Sequence, residues 1–576
     1  MVLGQVVQAG GKIVATTEVV DVASGRSLAS QKAEGKGDAD VFSIAEALGE
    51  QVRQALRRPA PAGGEAAPLA RQLTGSVEAY RAFVRGEALY KRFDFAAASE
   101  QFREAVRIDP DFALAYYRLS LAGSWFQADP RASEHAKRAL ALKERLPSEY
   151  REIVEANSYY IAGDPRALPI LESVLTRDPR NKEALYLLSE IYIHSSSSNN
   201  PARAAELMER ILALDPEFHL VRDHLLSAYL QQGHLDKVDE LLLKWETADP
   251  ELTLRFRADV AARENRPEEA LRLIEGQTSL LSQLAKPGYA ILASRWEVAE
   301  RLLSRQPPEG GSSQWRQNAL GLLHAYRGRF DSAIEEHRLS ASAAKSPNED
   351  SLTGGAAAQA LFSVAGLLAF KGDLRSARTE AERALSIQPN SPRWLAYAGA
   401  LAVRGGDLPS ASQYLRRIEE IVAIGRHSSA DLYRDALDAE IALSRGRADE
   451  SRRLFEKAVN SGRLNLDSFA SGASAGAVFR DGLARACLAL GDKQGAAQAL
   501  EGLLSSGSER AGYPLLYVRA FYTLGVLKLD MGDEAAGREY LKKFLDHWGN
   551  ADWDLAEVRD ARERLAPTQA PSGGSR

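Results

Sequence analysis

The sequence predicts a mostly α protein: an α-solenoid of stacked antiparallel helix pairs behind a small β-meander with one helix. Three observations carry this. From residue 76 almost to the end, apolar residues recur at helical spacing. Asp-Pro and Gly-Asp dipeptides punctuate that stretch at a repeating interval: Pro216 and Pro250 are 34 residues apart, and Pro110 and Pro179 are 69 apart, about two intervals. Before residue 57 the pattern changes to short β-rich runs split by turn residues.

The totals fit this class. A chain of 576 residues exceeds one ordinary globular core, so it forms several domains or one elongated array. With 45% hydrophobic and 26% charged residues it can build a core and coat it, which excludes disordered and fibrous classes. A net charge of -5 and pI near 6.1 give no overall attraction to phosphate backbones or anionic lipid, so no nucleic-acid partner is expected. Cys487 is the only cysteine, so no internal disulfide can form, and a reduced, cytoplasmic location is expected. The opening "MVLGQVVQAGGKIVATTEVV" lacks the basic and apolar regions of a signal peptide. The most apolar window, "LFSVAGLLAF" at 361–370, is too short to span a bilayer.

Residues 1–57 form the first segment. "VLGQVVQ", "KIVATTEVVDV" and "RSLASQKAEG", separated by "AGG" and "ASG", predict a three-stranded antiparallel meander. Val41, Ile44, Leu48, Val52 and Leu56 then recur at helical spacing, with Asp38 or Asp40 as N-cap. Such a core is marginal, so the segment is either part of a larger α/β domain or docks on the array behind it. Residues 58–75, "RPAPAGGEAAPLARQLTG", follow as a Pro/Gly/Ala-rich linker.

The repeat occupies 76–566. Gly86 and Ala98 are small where the two helices of a unit approach closely, Phe102 fills the hollow beside them, and Pro110 stops the second helix after Ala105. Gly372-Asp373, Gly406-Asp407, Gly491-Asp492 and Gly532-Asp533 mark turns within units, a helix-ending glycine followed by a capping Asp. Ala377, Ala411, Ala496 and Gly537 follow those glycines by five residues, and Gly233, Gly328 and Gly446 mark further turns. About thirteen units are placed near 79, 113, 148, 185, 219, 251, 280, 314, 358, 392, 432, 477 and 518, those at 148, 251 and 280 being degenerate. Polar or small insertions at 194–200, 345–355, 460–474 and 505–512 read as loops leaving the stack. "WDLAEVRDARERLA" reads as a capping helix, and 567–576 as a disordered tail.

The succession of small residue, Gly, Ala, aromatic and Pro resembles the tetratricopeptide repeat (TPR) family. That resemblance implies a TPR superhelix whose first helices line a concave face where a protein or peptide binds. Carried onto the first two units, the partner-binding residues are Tyr80, Phe83, Glu87, Tyr90, Lys91, Tyr117 and Trp125, several of which could instead pack adjacent units. The carboxylate clamp of some members needs Asn and basic residues there; Glu87 stands where Asn would be. "VVDVASGRSLASQKAEG" and the acidic helix start after it resemble the C-terminal part of a TolB-like domain found beside helical repeats in bacterial regulators. The two resemblances imply a non-catalytic protein-interaction scaffold or, alternatively, the docking arm of a larger bacterial signalling protein, such as a Ser/Thr kinase, cyclase or transcription regulator.

Strings that imitate active sites fail on context. "GASAG" fits a nucleophile elbow at Ser474, but no hydrophobic strand precedes it. The glycines before Gly11-Lys12 have the wrong spacing for a phosphate loop. His219 and His224 are five apart, off the i,i+4 face of a metal pair, while His324 and His337 read as packing residues. Cys487 sits among apolar helix positions as a core residue. No catalytic residue, metal ligand or cofactor is therefore expected.

Overall fold

The computed structural model describes residues 1–37, 40–56, 73–92, 94–124, 131–195, 197–305, 313–343, 352–461 and 475–566. Trp125, Ser474, most of the 58–75 linker and the 567–576 tail lie outside them. The fold is the predicted one: a three-stranded N-terminal sheet and then α-helices in stacked antiparallel pairs. The chain divides into two compact units, Met1–Ala184 and Leu185–Arg576. Among the described residues, no helix is long and apolar enough to cross a membrane.

In the first unit, β1 (Val2–Ala9), β2 (Lys12–Val20) and β3 (Ser27–Lys36) form an antiparallel meander in that order. Alternation puts Ile13, Ala15 and Ala33 on one face, where Ile44 and Leu48 of helix α1 (Val41–Ala55) cover them. The segment also docks on the repeats, because Phe42 of α1 meets Tyr80 edge-on at 5.8 Å. Two residues predicted to belong to the linker are buried instead: Leu73 is core, and the Thr74 hydroxyl donates to Asp109.

Helix pairs then run from Val77–Tyr90 with Phe95–Ile108 to Pro514–Asp530 with Glu534–Trp548. Their turns follow one device. Gly372, Gly406, Gly491 and Gly532 all have positive φ, and the Asp after each accepts a hydrogen bond from the backbone N–H three residues on. Close approach within a pair is equally direct, since a methyl at Gly86 would lie 2.5 Å from the Phe102 ring. The degenerate unit near 280 is a helix too, Leu280–Leu292, which carries the buried Pro287 in its interior and is capped by Ser279.

The second unit curls until distant pairs touch. Tyr326 donates to the Arg510 carbonyl across 184 residues, Trp548 to Ala325 across 223, and Asn200 to Arg426 across 226. One hydrophobic cluster accordingly runs through Ala290–Ala377 and Ala477–Ala561 together. Two predicted insertions are used here. The 194–200 loop accepts the Ser428 N–H on the Asn199 carbonyl. The 505–512 stretch, expected to leave the stack, turns inward as a short 3-10 helix with Gly507, Glu509 and Arg510 buried. Its polar composition hid this, because the Arg510 guanidinium finds an acceptor inside, the Leu292 carbonyl at 3.2 Å. At 352–355 the predicted loop is likewise the first turn of the Leu352–Lys371 helix.

Gly507 has φ +58°, and a methyl on it would collide with the Arg263 carbonyl. Gly507→Ala is therefore expected to lose about 1–3 kcal/mol, measured by chemical denaturation, because it adds left-handed strain to a steric conflict.

Candidate functional site

The curl of the second unit encloses a chamber of about 1000 Å³. Its wall comes mainly from the first helices of five pairs: Leu352–Lys371, Pro392–Arg404, Ala430–Ser444, Gly476–Ala489 and Pro514–Asp530. First helices lie inside because each pair turns by a small angle from the last, which keeps the same face of every first helix toward the axis of curvature.

Aromatic faces and guanidinium groups alternate on this wall. Phe362 stacks on Trp394 with ring centroids 4.4 Å apart and meets Tyr397 edge-on at 5.1 Å. The Arg393 guanidinium lies 4.3 Å over the Trp394 ring and donates to Gln359 (2.9 Å) and Tyr513 (3.2 Å). Gly366 admits the Tyr397 hydroxyl, which would be 2.7 Å from any added methyl. Burial pushes the Tyr397 phenol up to about 12, so it stays a neutral hydrogen-bonding group. Arg485 donates to Glu440 and to Asp481 at 2.9 Å; burial opposes its charge, but these carboxylates outweigh it and raise its pKa. Arg519 pairs with Glu557 at 3.4 Å beside the Phe370 ring. Arg404, exposed at the end of its helix, engages no carboxylate among the described residues. The chamber can thus receive a partly apolar group against rings and an acceptor against Tyr397 and Arg404.

A second cluster lies elsewhere in the same unit, between the helices Lys182–His194 and Leu220–Gln232. His194 Nε2 and His224 Nε2 are 3.3 Å apart, and His224 Nδ1 is 2.8 Å from Glu190 Oε1. Burial and the neighbouring His224 hold His194 down to about 4, although Glu190 opposes this. Sequence spacing compared His224 with His219, which lies beside Glu217 on the surface. The signal that would have found the cluster is the repeat itself: Glu190 and His224 are 34 residues apart and so occupy equivalent positions on stacked first helices. The same offset joins Gln359 to Arg393.

The residues predicted for partner binding lie in the first unit. Phe83, Tyr90 and Tyr117 are buried; Phe83 packs on Phe102 and Phe112, and Tyr90 on Phe95. Tyr117 donates to Glu183 at 3.1 Å. Glu87 pairs with Arg118 at 2.6 Å, and Arg118 grips Glu183 with both terminal nitrogens at 2.7 and 2.8 Å. Tyr80 is half-buried and Lys91 exposed, while Trp125 lies outside the described residues. Cys487 is buried, and burial raises its thiol pKa.

A family model described as a tetratricopeptide repeat matches residues 154–217. No curated protein matches the chain. Among solved structures, the chain is similar to one in the APC/C hetero-tetramer Cut9-Hcn1, at 14% identity over 87% of this chain and 98% of that one, TM-score 0.31. Yeast Tom70 matches at 13% identity over 84% and 95%, TM-score 0.33. A tetratricopeptide repeat protein from Parabacteroides merdae matches at 16% over 49% and 97%, TM-score 0.29.

Proposed function

We propose that this chain is a protein-interaction scaffold, and that its second unit holds an extended peptide segment of a partner in the aromatic and arginine-lined chamber. The observation that carries this reading is the enclosure: five first helices line one cavity of about 1000 Å³, and three of them leave Phe370, Tyr397, Arg404 and Arg519 accessible on its wall. That volume is at the upper end of ligand pockets. Aromatic and arginine side chains are the types that dominate binding energy at interfaces, because they bury large area while orienting polar groups. A peptide with apolar side chains and a carboxylate would set the former on Phe370 and the latter on Arg404. The first pair takes no part in holding this segment, and its exposed Lys91 serves as the control.

The test is a selection of random displayed peptides on the full chain, followed by calorimetric titration of those recovered. Ala400 lines the chamber, and Ala400→Trp is expected to weaken their binding at least about tenfold, or 1.4 kcal/mol. Lys91→Glu is expected to leave it unchanged. Undiminished binding to Ala400→Trp with circular dichroism intact removes the chamber reading, and loss in Lys91→Glu moves the site to the first pair.

A further inference from the structure

We propose that His194 and His224, with Glu190, form a binding site for a divalent transition-metal ion of the zinc class, clamping two successive first helices together. The argument is geometric. An ion bound tetrahedrally at about 2.0–2.1 Å from two imidazole nitrogens holds those nitrogens about 3.3–3.4 Å apart. The two Nε2 atoms stand at 3.3 Å.

Glu190 prepares the pair. Its Oε1 lies 2.8 Å from His224 Nδ1, so with the proton on Nδ1 the ring donates to the carboxylate and His224 Nε2, 3.3 Å from His194 Nε2, keeps its lone pair for an ion. A carboxylate behind a ligating imidazole is the arrangement that fixes tautomer and ring orientation at metal sites. Its other oxygen, Oε2, is 3.7 Å from His194 Nε2, so the carboxylate and the two imidazoles lie in one group whose ligand atoms are within 4.8 Å of one another. With Glu190 behind His224, the two imidazole Nε2 atoms are the protein's ligands and water fills the remaining positions of a four-coordinate ion.

The alternative is a structural contact alone, an N–H of one imidazole donating to the other. It needs no ion, and Zn2+ titration separates the two readings. Access also fits: the Glu190 and His224 side chains are 6% exposed, whereas that of His194 is 17% exposed and gives an ion a way in. Because Glu190 and His194 sit on one helix and His224 on the next first helix, an ion would staple neighbouring pairs. This inference does not rest on the peptide reading of the chamber.

The experiment titrates Zn2+ into the full chain, freed of metal by chelator, with calorimetry and thermal unfolding as readouts; Co2+ and its visible absorption report the coordination geometry. The expected result is one equivalent of Zn2+ bound, a tetrahedral cobalt spectrum and a raised unfolding temperature. His194→Ala, at the accessible corner, is expected to lower affinity at least tenfold while leaving the unfolding temperature of the metal-free protein nearly unchanged; Glu190→Gln is expected to weaken binding by 10- to 100-fold. No uptake by the unsubstituted chain up to millimolar Zn2+ overturns the proposal. So does uptake that both variants retain, which would place the ion on other surface groups.

Discussion

Arg118→Ala is expected to destabilise the first unit by about 3–5 kcal/mol, because it strands two carboxylates around a vanished cation. Arg118 is 9% exposed and bridges Glu87 to both oxygens of Glu183, with Tyr117 adding a fourth contact. Replacing Arg118, Glu87 and Glu183 together by Met, Gln and Gln is expected to recover most of the loss, since the cost lies in the unpaired charge. Hydrogen exchange should place the deprotection within Met1–Ala184; a global loss would contradict a local origin. Burial pushes the Glu183 carboxyl up, but Arg118 and the Tyr117 hydroxyl outweigh it and hold it below the usual carboxylate range. Its contribution is therefore complete above about pH 4.5 and is lost as pH falls through the lowered value.

Trp548→Ala is expected to cost about 3–5 kcal/mol in the second unit. Trp548 is 1% exposed, packs on Phe330 and Phe544, and donates its indole N–H to the Ala325 carbonyl at 3.0 Å. The informative part is where protection is lost. In an open stack held by nearest neighbours, the effect stays near 514–565. Here exchange should also rise in the Ser313–Tyr326 helix, 223 residues away along the chain. Trp548→Phe keeps most of the volume and is expected to lose about 1 kcal/mol with the hydrogen bond. Acid acts at the same contact. Burial pushes His547, whose Nδ1 lies 3.1 Å from the Tyr326 carbonyl, down to about 4. A histidine lowered on folding stabilises fully above its ordinary value near 6.5, and that term fades as pH drops from there through 4. Exchange in this helix should accelerate over that window.

The elements were legible because their signals are local. A glycine with positive φ, an Asp three residues before the N–H it caps, and a small residue facing Phe102 are each written within a few positions. The chamber and the histidine cluster were not, because their members are far apart in sequence. Tyr397 meets Phe362 and Gly366 across a pair boundary, and His224 meets Glu190 one repeat away. Composition misled at 505–512, where Ser, Gly, Glu and Arg resemble a surface loop although Arg510 finds its acceptors inside. The first-unit residues chosen as a binding face have the chemistry of one, aromatic beside charged, and in Tyr117 and Glu87 that chemistry is turned onto neighbouring helices.

By itself, the sequence determined the helix pairs, their turns and the N-terminal meander, since each depends on backbone preferences and apolar spacing over fewer than about 35 residues. Only the tertiary structure decided that Tyr326, Arg510 and Trp548 meet, and hence that the inner helices enclose a chamber. The angle between successive pairs is set by how whole side chains fit, and small differences in that angle, summed over several pairs, decide whether a curve stays open or closes.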